Sequence, residues 1–144
     1  MIAVDTNILV YAHREDSPWH SAAVICVIQL AEGRAPWAIP WACVHEFLAV
    51  VTHPKIYRPA TPLTSALEQL DAWVQSPSLH LIGEMGNYWP MLRPVLASGR
   101  IAGPMTHDAR IVAVCRQHGV EILWSSDRDY SRFGGLDVVN PLLG

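Results

Sequence analysis

Short apolar segments alternate with longer amphipathic segments along the chain, and this alternation constrains the fold more than any other feature. The apolar runs that predict strands are residues 1–4, 35–41, 79–82, 120–124 and 136–139. Between them, apolar residues recur at helical spacing in segments 17–33, 44–51, 63–74, 88–97 and 106–118. Strands that alternate with helices in this way predict an α/β fold, with a parallel sheet covered by helices on both faces.

Acidic residues lie at the positions where such a sheet binds its ligands, beyond the carboxyl ends of the strands. Asp5 directly follows the first predicted strand, and Asp127 follows the strand that ends at residue 124. Glu46 lies among apolar residues in a predicted helix, and Asp108 lies at the start of a late one. Isolated acids usually occupy solvated turns and helix ends, and neither Asp5 nor Glu46 lies in such a place. We interpret the four acids as one candidate site, with Asp129 as a fifth candidate.

Carboxylates that share a site repel one another, and a divalent cation with oxygen ligands is the usual way to neutralise that repulsion. Mg²⁺ or Mn²⁺ is therefore the expected cofactor. Zinc is disfavoured because the sequence shows no cluster of histidines and cysteines at ligand spacing. A site of this kind hydrolyses phosphodiester bonds with water as the nucleophile.

Length and charge limit how the chain can contact nucleic acid. With 144 residues, it is expected to form one domain over residues 1–144. The net charge of −3 argues against wrapping nucleic acid by bulk electrostatics, so that any contact is local. Nine of the ten basic residues are arginines, whose planar guanidinium groups match phosphate geometry. Arg128, between Asp127 and Asp129, is the first candidate for a contact to a phosphate backbone, and Arg100 is a second.

The cysteines and the hydropathy of the chain indicate in which cellular compartment the protein is expected. Cys26, Cys43 and Cys115 lie far apart in apolar stretches, which favours reduced core residues rather than disulfides. No basic segment precedes Asp5, and no apolar run approaches the roughly 20 residues of a membrane span. We therefore expect a cytoplasmic protein with no membrane contact.

Four segments together resemble the PIN domain over nearly the whole chain. They are Val4-Asp5-Thr6-Asn7, the helical Glu46, Asp108-Ala109, and Ser125-Ser126-Asp127-Arg128-Asp129-Tyr130. The resemblance implies a three-layer α/β/α fold with a mostly parallel central sheet. It also implies an Mg²⁺- or Mn²⁺-dependent endoribonuclease and, at this length, the toxin of a VapBC-type toxin–antitoxin pair.

The resemblance assigns roles to the four acids. Asp5, Glu46, Asp108 and Asp127 match the acidic quartet of the family. Asp5 and Asp108 are implied as the most direct metal ligands, and Glu46 and Asp127 complete the shell and orient the attacking water. Ser125 stands where the family usually has threonine, and it keeps the hydroxyl.

Several neighbours of the acids have two interpretations. Thr6, Asn7 and Ser125 either hydrogen-bond the metal ligands or simply turn the chain after a strand. His107, directly before Asp108, is less expected, and whether its imidazole contacts substrate stays open.

Low charge content and the resemblance imply a homodimer. Charged residues make up only 16% of the chain, which favours apolar surface reserved for a partner. The resemblance also implies a groove that the C-terminal arm of a VapB-type antitoxin fills. The resemblance implies an RNA substrate, whether tRNA, rRNA or mRNA.

Two other functions are alternatives to a metal-dependent ribonuclease. A phosphotransfer or receiver domain needs an Asp-x-Asp after the first strand or a lysine after a late strand, and the one lysine, Lys55, lies in a proline-rich loop. A non-catalytic PIN domain, acting as a scaffold for RNA or protein, is marked by loss of site acids. All four acids are present here, so the scaffold is kept as the second hypothesis.

Overall fold

The computed structural model describes residues 1–143, with a five-stranded sheet and six α-helices in this range. The strands are β1 (Ile2–Val4), β2 (Trp37–Pro40), β3 (Leu79–Ile82), β4 (Ile122–Trp124) and β5 (Asp137–Val139). The helices are α1 (Thr6–His13), α2 (His20–Glu32), α3 (Trp41–Val51), α4 (Leu63–Val74), α5 (Trp89–Ser98) and α6 (Met105–Gln117). Two short 3₁₀ helices, Arg128–Arg132 and Pro141–Leu143, complete the chain.

The sheet has the strand order β3-β2-β1-β4-β5, and all of its pairings are parallel. Because parallel crossovers are right-handed, α1 to α4 cover one face and α5 and α6 the other. The packing agrees, since α1 contacts α2 and α3, while α5 contacts α6. The predicted α/β fold with a mostly parallel sheet is confirmed.

Helix α1 was not predicted from the sequence. Thr6 and Asn7 looked like a turn after β1, and the first helix was expected to begin at Ser17-Pro18, whereas α2 begins at His20. The Asp5 side chain caps α1 by accepting a hydrogen bond from the Thr6 backbone N–H at 2.8 Å. Residues 8–10 are three consecutive buried apolar residues, so this helix has no polar face whose periodicity would reveal it.

Arg14 anchors the loop between α3 and α4. Its guanidinium donates two hydrogen bonds to Asp16, at 2.9 and 2.7 Å, and one to the Pro59 carbonyl at 2.9 Å. It also lies over the Tyr57 ring, 4.2 Å from the centroid, an arrangement that favours a cation–π interaction. The loop is thereby held against the end of α1, with Tyr57 near the carboxyl edge of the sheet.

The three cysteines are free thiols; Cys43 and Cys115 are buried and Cys26 is half-buried. Within residues 1–143, no helix has the length and apolar character that crossing a bilayer would require.

Candidate active site

The order of the sheet reverses at β1, which is where α/β sheets bind their ligands. The chain moves from β1 outward to β2 and β3, and then returns to the other side of β1 as β4. The Asp5 backbone N–H donates to the Trp124 carbonyl at 2.9 Å, which joins the carboxyl ends of β1 and β4. Asp5 therefore lies at the position where a ligand is expected, and it is only 5% exposed.

The buried carboxylate of Asp5 is held by four donors. Its Oδ2 accepts from the Ser125 hydroxyl at 2.7 Å and from the Asn7 amide at 3.2 Å. Its Oδ1 accepts from the Thr6 N–H at 2.8 Å and lies 3.6 Å from the Cys43 thiol, which donates to it. Burial raises the pKa of Asp5, and the hydrogen bonds from Ser125 and Thr6 offset part of that rise.

Ser125 and Asn7 join the segment after β1 to the segment after β4. The Ser125 hydroxyl also accepts hydrogen bonds from the Asn7 side-chain amide at 3.1 Å and from the Asp127 N–H at 3.0 Å. The Asn7 side-chain oxygen accepts from the Ser126 N–H at 3.0 Å. These side chains thus hold the acids in place, which is one of the two interpretations left open for them.

The four predicted acids line one cavity of about 240 Å³, which we call the acid cavity. They come from separate elements, because Asp5 follows β1, Glu46 lies in α3, Asp108 in α6, and Asp127 after β4. The other lining residues are Thr6, Asn7, Val10, Tyr11, Val50 and Tyr57.

The charges of the acids act on one another across this cavity. The pKa of Asp108 is raised to about 6, chiefly because the side chain is half-buried, and further by the negative charges of Asp127, Asp5, Asp129 and Glu46. The folded chain therefore stores electrostatic repulsion at the carboxyl edge of its sheet.

Two further hydrogen bonds orient the outer acids. The Thr6 hydroxyl donates to Glu46 Oε2 at 3.3 Å, which links α1 to α3. Asp127 Oδ1 accepts from the Asp129 N–H at 2.8 Å and so caps the 3₁₀ helix that follows β4. Glu46 and Asp127 thus each have one fixed contact, and both line the acid cavity.

The donor set fits a hard divalent cation by its chemistry. Four carboxylates supply oxygen ligands and negative charge, which suit Mg²⁺ or Mn²⁺. Cys43 is no competing soft ligand, since burial raises the pKa of its thiol well above the ordinary value and keeps it protonated. Within residues 1–143, however, no three His, Cys, Asp or Glu side chains are arranged so that they could hold one ion as they stand. The acids share a cavity without forming a closed coordination shell.

The remaining predicted residues lie around the acid cavity. Asp129 is exposed and lines a neighbouring cavity. Arg128 lines a third cavity, whose wall also includes Asp127. Arg100 is exposed in the loop before α6, at a φ of 50°, and does not line any of these three cavities.

Sequence reasoning missed Cys43, Tyr11 and Tyr57. Cys43 precedes Glu46 by three residues in α3, so helical spacing could have placed it on the same face. Tyr57 offered no such signal, because it lies in an irregular loop that only tertiary contacts bring to the cavity.

Comparison with known proteins agrees with this fold and shows the family of the chain. The PIN domain family profile matches residues 2–136, and the chain therefore belongs to the PIN domain family. It is 31% identical over 140 residues to ribonuclease VapC48 of Mycobacterium tuberculosis, with 97% of each chain covered. It is 28% identical over 144 residues to ribonuclease VapC43 of the same organism, covering 100% of this chain and 97% of that one.

Solved structures share the fold. VapBC2 of Rickettsia felis, determined with a DNA fragment from its promoter, superposes with a TM-score of 0.67 at 20% identity, covering 96% of this chain and 98% of that one. VapC20 of Mycobacterium tuberculosis, a toxin that cleaves the sarcin-ricin loop, gives a TM-score of 0.67 at 16% identity with the same coverage.

Ser125→Ala tests the link between the two strand ends. The substitution leaves Asp5 Oδ2 and the Asp127 N–H each without one hydrogen-bond partner in a site where Ser125 is 2% exposed. We expect the free energy of unfolding to fall by about 2 kcal/mol, measured by urea denaturation in EDTA. Ser65→Ala, on the exposed face of α4, is the control. An unchanged free energy for Ser125→Ala would contradict the role assigned to this hydroxyl.

Asp108→Asn tests the repulsion among the acids. A pKa that is higher in the folded chain means that stability is present at low pH and is lost as the pH rises from 3.8 to about 6. Without added cation, the variant should therefore be more stable than the parent at pH 7.5, by about 1 kcal/mol after allowing for solvent screening. The gain should shrink to nothing near pH 4.

The measurement is chemical denaturation in EDTA at both pH values. Asp71→Asn, an exposed acid on α4, controls for the loss of one negative charge. Destabilisation of Asp108→Asn at pH 7.5 would show that Asp108 makes net favourable contacts, contrary to the repulsion described.

Proposed function

We propose that this chain is an Mg²⁺- or Mn²⁺-dependent endoribonuclease that acts as the toxin of a toxin–antitoxin pair. The observation that carries the proposal is the convergence of Asp5, Glu46, Asp108 and Asp127 on one cavity, at the point where the strand order reverses. Carboxylates that converge on one cavity supply the oxygen ligands of the divalent cation that metal-assisted hydrolysis of a phosphodiester uses.

Asp5 and Asp108 would be the most direct ligands of the cation, and Glu46 and Asp127 would complete the shell directly or through water. When bound, the cation supplies charge neutralisation, polarisation of the phosphoryl group and a lower pKa for water. It would also remove the repulsion that raises the pKa of Asp108.

The protein's own groups provide positioning. Asp5 cannot change rotamer freely, because Ser125, Asn7 and the Thr6 N–H hold both of its oxygens. Thr6 also holds Glu46 Oε2, and Glu46 is exposed at the cavity, where it orients the attacking water. A preorganised site of this kind pays little reorganisation energy during the reaction.

The relatives support RNA as the substrate class. VapC48 and VapC43 are ribonucleases, and VapC20 cleaves the sarcin-ricin loop. We extend to this chain the activity on RNA, with tRNA, rRNA and mRNA as the candidate substrates. The proposal places the protein in the cytoplasm, where those RNAs are found.

Cleavage of total cellular RNA by the purified protein tests the activity. We expect discrete fragments with Mg²⁺ or Mn²⁺, none with EDTA, and a loss of at least about 100-fold in rate for Asp5→Asn, because the neutral amide is a far weaker ligand. Asp71→Asn should cleave like the parent. Absence of metal-dependent cleavage of any RNA would favour the non-catalytic scaffold instead.

We also propose a homodimer that binds a VapB-type antitoxin. Exposed apolar side chains on separate helices, such as Trp89 at 59% and Leu63 at 60%, support protein contacts. The likeness to VapBC2 is consistent with an antitoxin partner.

Light scattering tests the assembly. The purified chain should have twice the monomer mass of 16.0 kDa, and it should form a larger complex with the product of the neighbouring gene. A monomer under both conditions would contradict the proposed assembly.

A further inference from the structure

A second cavity, larger than the first, adjoins the acid cavity. It has a volume of about 590 Å³ and shares Glu46 and Asp108 with the acid cavity. We call it the histidine cleft, because His45 and His107 lie in its walls. Its other lining residues are Ala42, Ala49, Pro104, Met105, Arg110, Ile111 and Asp129.

The two histidines occupy equivalent positions beside two site acids. His45 directly precedes Glu46 in α3, and His107 directly precedes Asp108 in α6. Both histidines line the cleft, whereas both acids line the cleft and the acid cavity. The cleft is thus bounded by one His-acid pair from each of two helices.

Neither imidazole has a structural task within residues 1–143. The rings of His13, His20 and His118 hydrogen-bond to other parts of the fold. His45 and His107 are exposed, and no ring nitrogen of either forms a hydrogen bond to residues 1–143.

We propose that the histidine cleft binds the nucleotide next to the scissile phosphate of a single-stranded RNA, with the base against the imidazole rings of His45 and His107. The inference rests on the proposed function, because the acid cavity positions the phosphate and the shared Glu46 and Asp108 place the cleft beside it. It assigns substrate contact to two residues outside the acidic quartet.

The composition of the cleft suits a base. Ala42, Ala49, Met105 and Ile111 supply apolar surface, while the imidazoles add flat faces and polar edges. Unpaired RNA bases are recognised in this way, by stacking on aromatic rings and by hydrogen bonds to their edges. Arg110 at the rim donates from Nε to Glu84, and its terminal NH₂ groups form no hydrogen bond to residues 1–143.

The neighbouring cavities provide a path for an RNA strand. The histidine cleft meets the acid cavity at Glu46 and Asp108, and the acid cavity meets a third cavity of about 470 Å³ at Asp127. Arg128 lines that third cavity. The acids therefore lie between a cleft lined by His45, His107 and Arg110 and a cavity lined by Arg128. Donor groups of this kind contact the phosphates of a nucleic-acid strand.

RNA binding tests the inference separately from cleavage. A fluorescein-labelled single-stranded RNA of mixed sequence is titrated in Mg²⁺, with Asp5→Asn present in every variant so that the RNA stays intact. We expect the double substitution His45→Ala with His107→Ala to raise the Kd about 10-fold or more, which is the range for loss of base stacking. The matched control, His53→Ala with His80→Ala, removes two exposed histidines elsewhere and should leave the Kd unchanged.

Phenylalanine identifies the type of contact. His45→Phe with His107→Phe keeps an aromatic face and should restore most of the affinity. In the active chain, the alanine pair should raise the KM for RNA by a similar factor with a smaller change in kcat. Failure of phenylalanine to restore binding would contradict stacking.

Other outcomes separate this inference from the proposed function. An alanine pair that binds and cleaves RNA as the parent does would overturn the inference and leave the ribonuclease intact. Histidine-dependent RNA binding without any cleavage would support the inference and contradict the ribonuclease. An alanine pair that keeps its RNA affinity but no longer binds the antitoxin would reassign the cleft to a protein partner and overturn the inference.

Discussion

The rest of the site depends on one buried charge, the Asp5 carboxylate at the junction of β1 and β4. A carboxylate in this position costs free energy unless donors surround it, and the fold supplies them from both strand ends and from α1. The same hydrogen bonds that satisfy Asp5 also join segments that are 120 residues apart in the chain. The ligand of the candidate metal site is therefore also part of the tertiary structure.

Around this fixed group the other acids are less constrained and more exposed. Asp108 is half-buried, which is the main reason that its pKa is raised, and the negative charges of four other carboxylates raise the pKa further. Residues 1–143 as they stand contain no closed coordination shell. The repulsion among the acids lowers the free energy of unfolding of the chain without metal. Binding of a cation raises that free energy, as linkage between folding and binding requires. Stability and the proposed activity thus oppose each other at Asp108.

Much of the architecture follows from local patterns. The apolar run of β3 and the amphipathic stripe of α4 have the periods of a strand and a helix, and the structure places both elements where the sequence predicts them. Helix α1 was missed because it is short and buried on most sides, so that it lacks the polar face on which periodicity depends. Asp5 and Glu46 were noticed because the end of an apolar strand and an apolar helix are unusual places for solvated carboxylates, whereas the full set of four candidate acids came from the resemblance.

By itself, the sequence determined the α/β class and the approximate position of most elements, and it predicted the four candidate acids, because each of these depends on residues close together in the chain. Only the tertiary structure decided that Cys43 contacts Asp5, that the Arg14-anchored loop brings Tyr57 to the cavity, and that His45 and His107 face one cleft. These contacts join residues from separate elements. Their geometry is set by how helices pack on a sheet, and no local pattern encodes that packing.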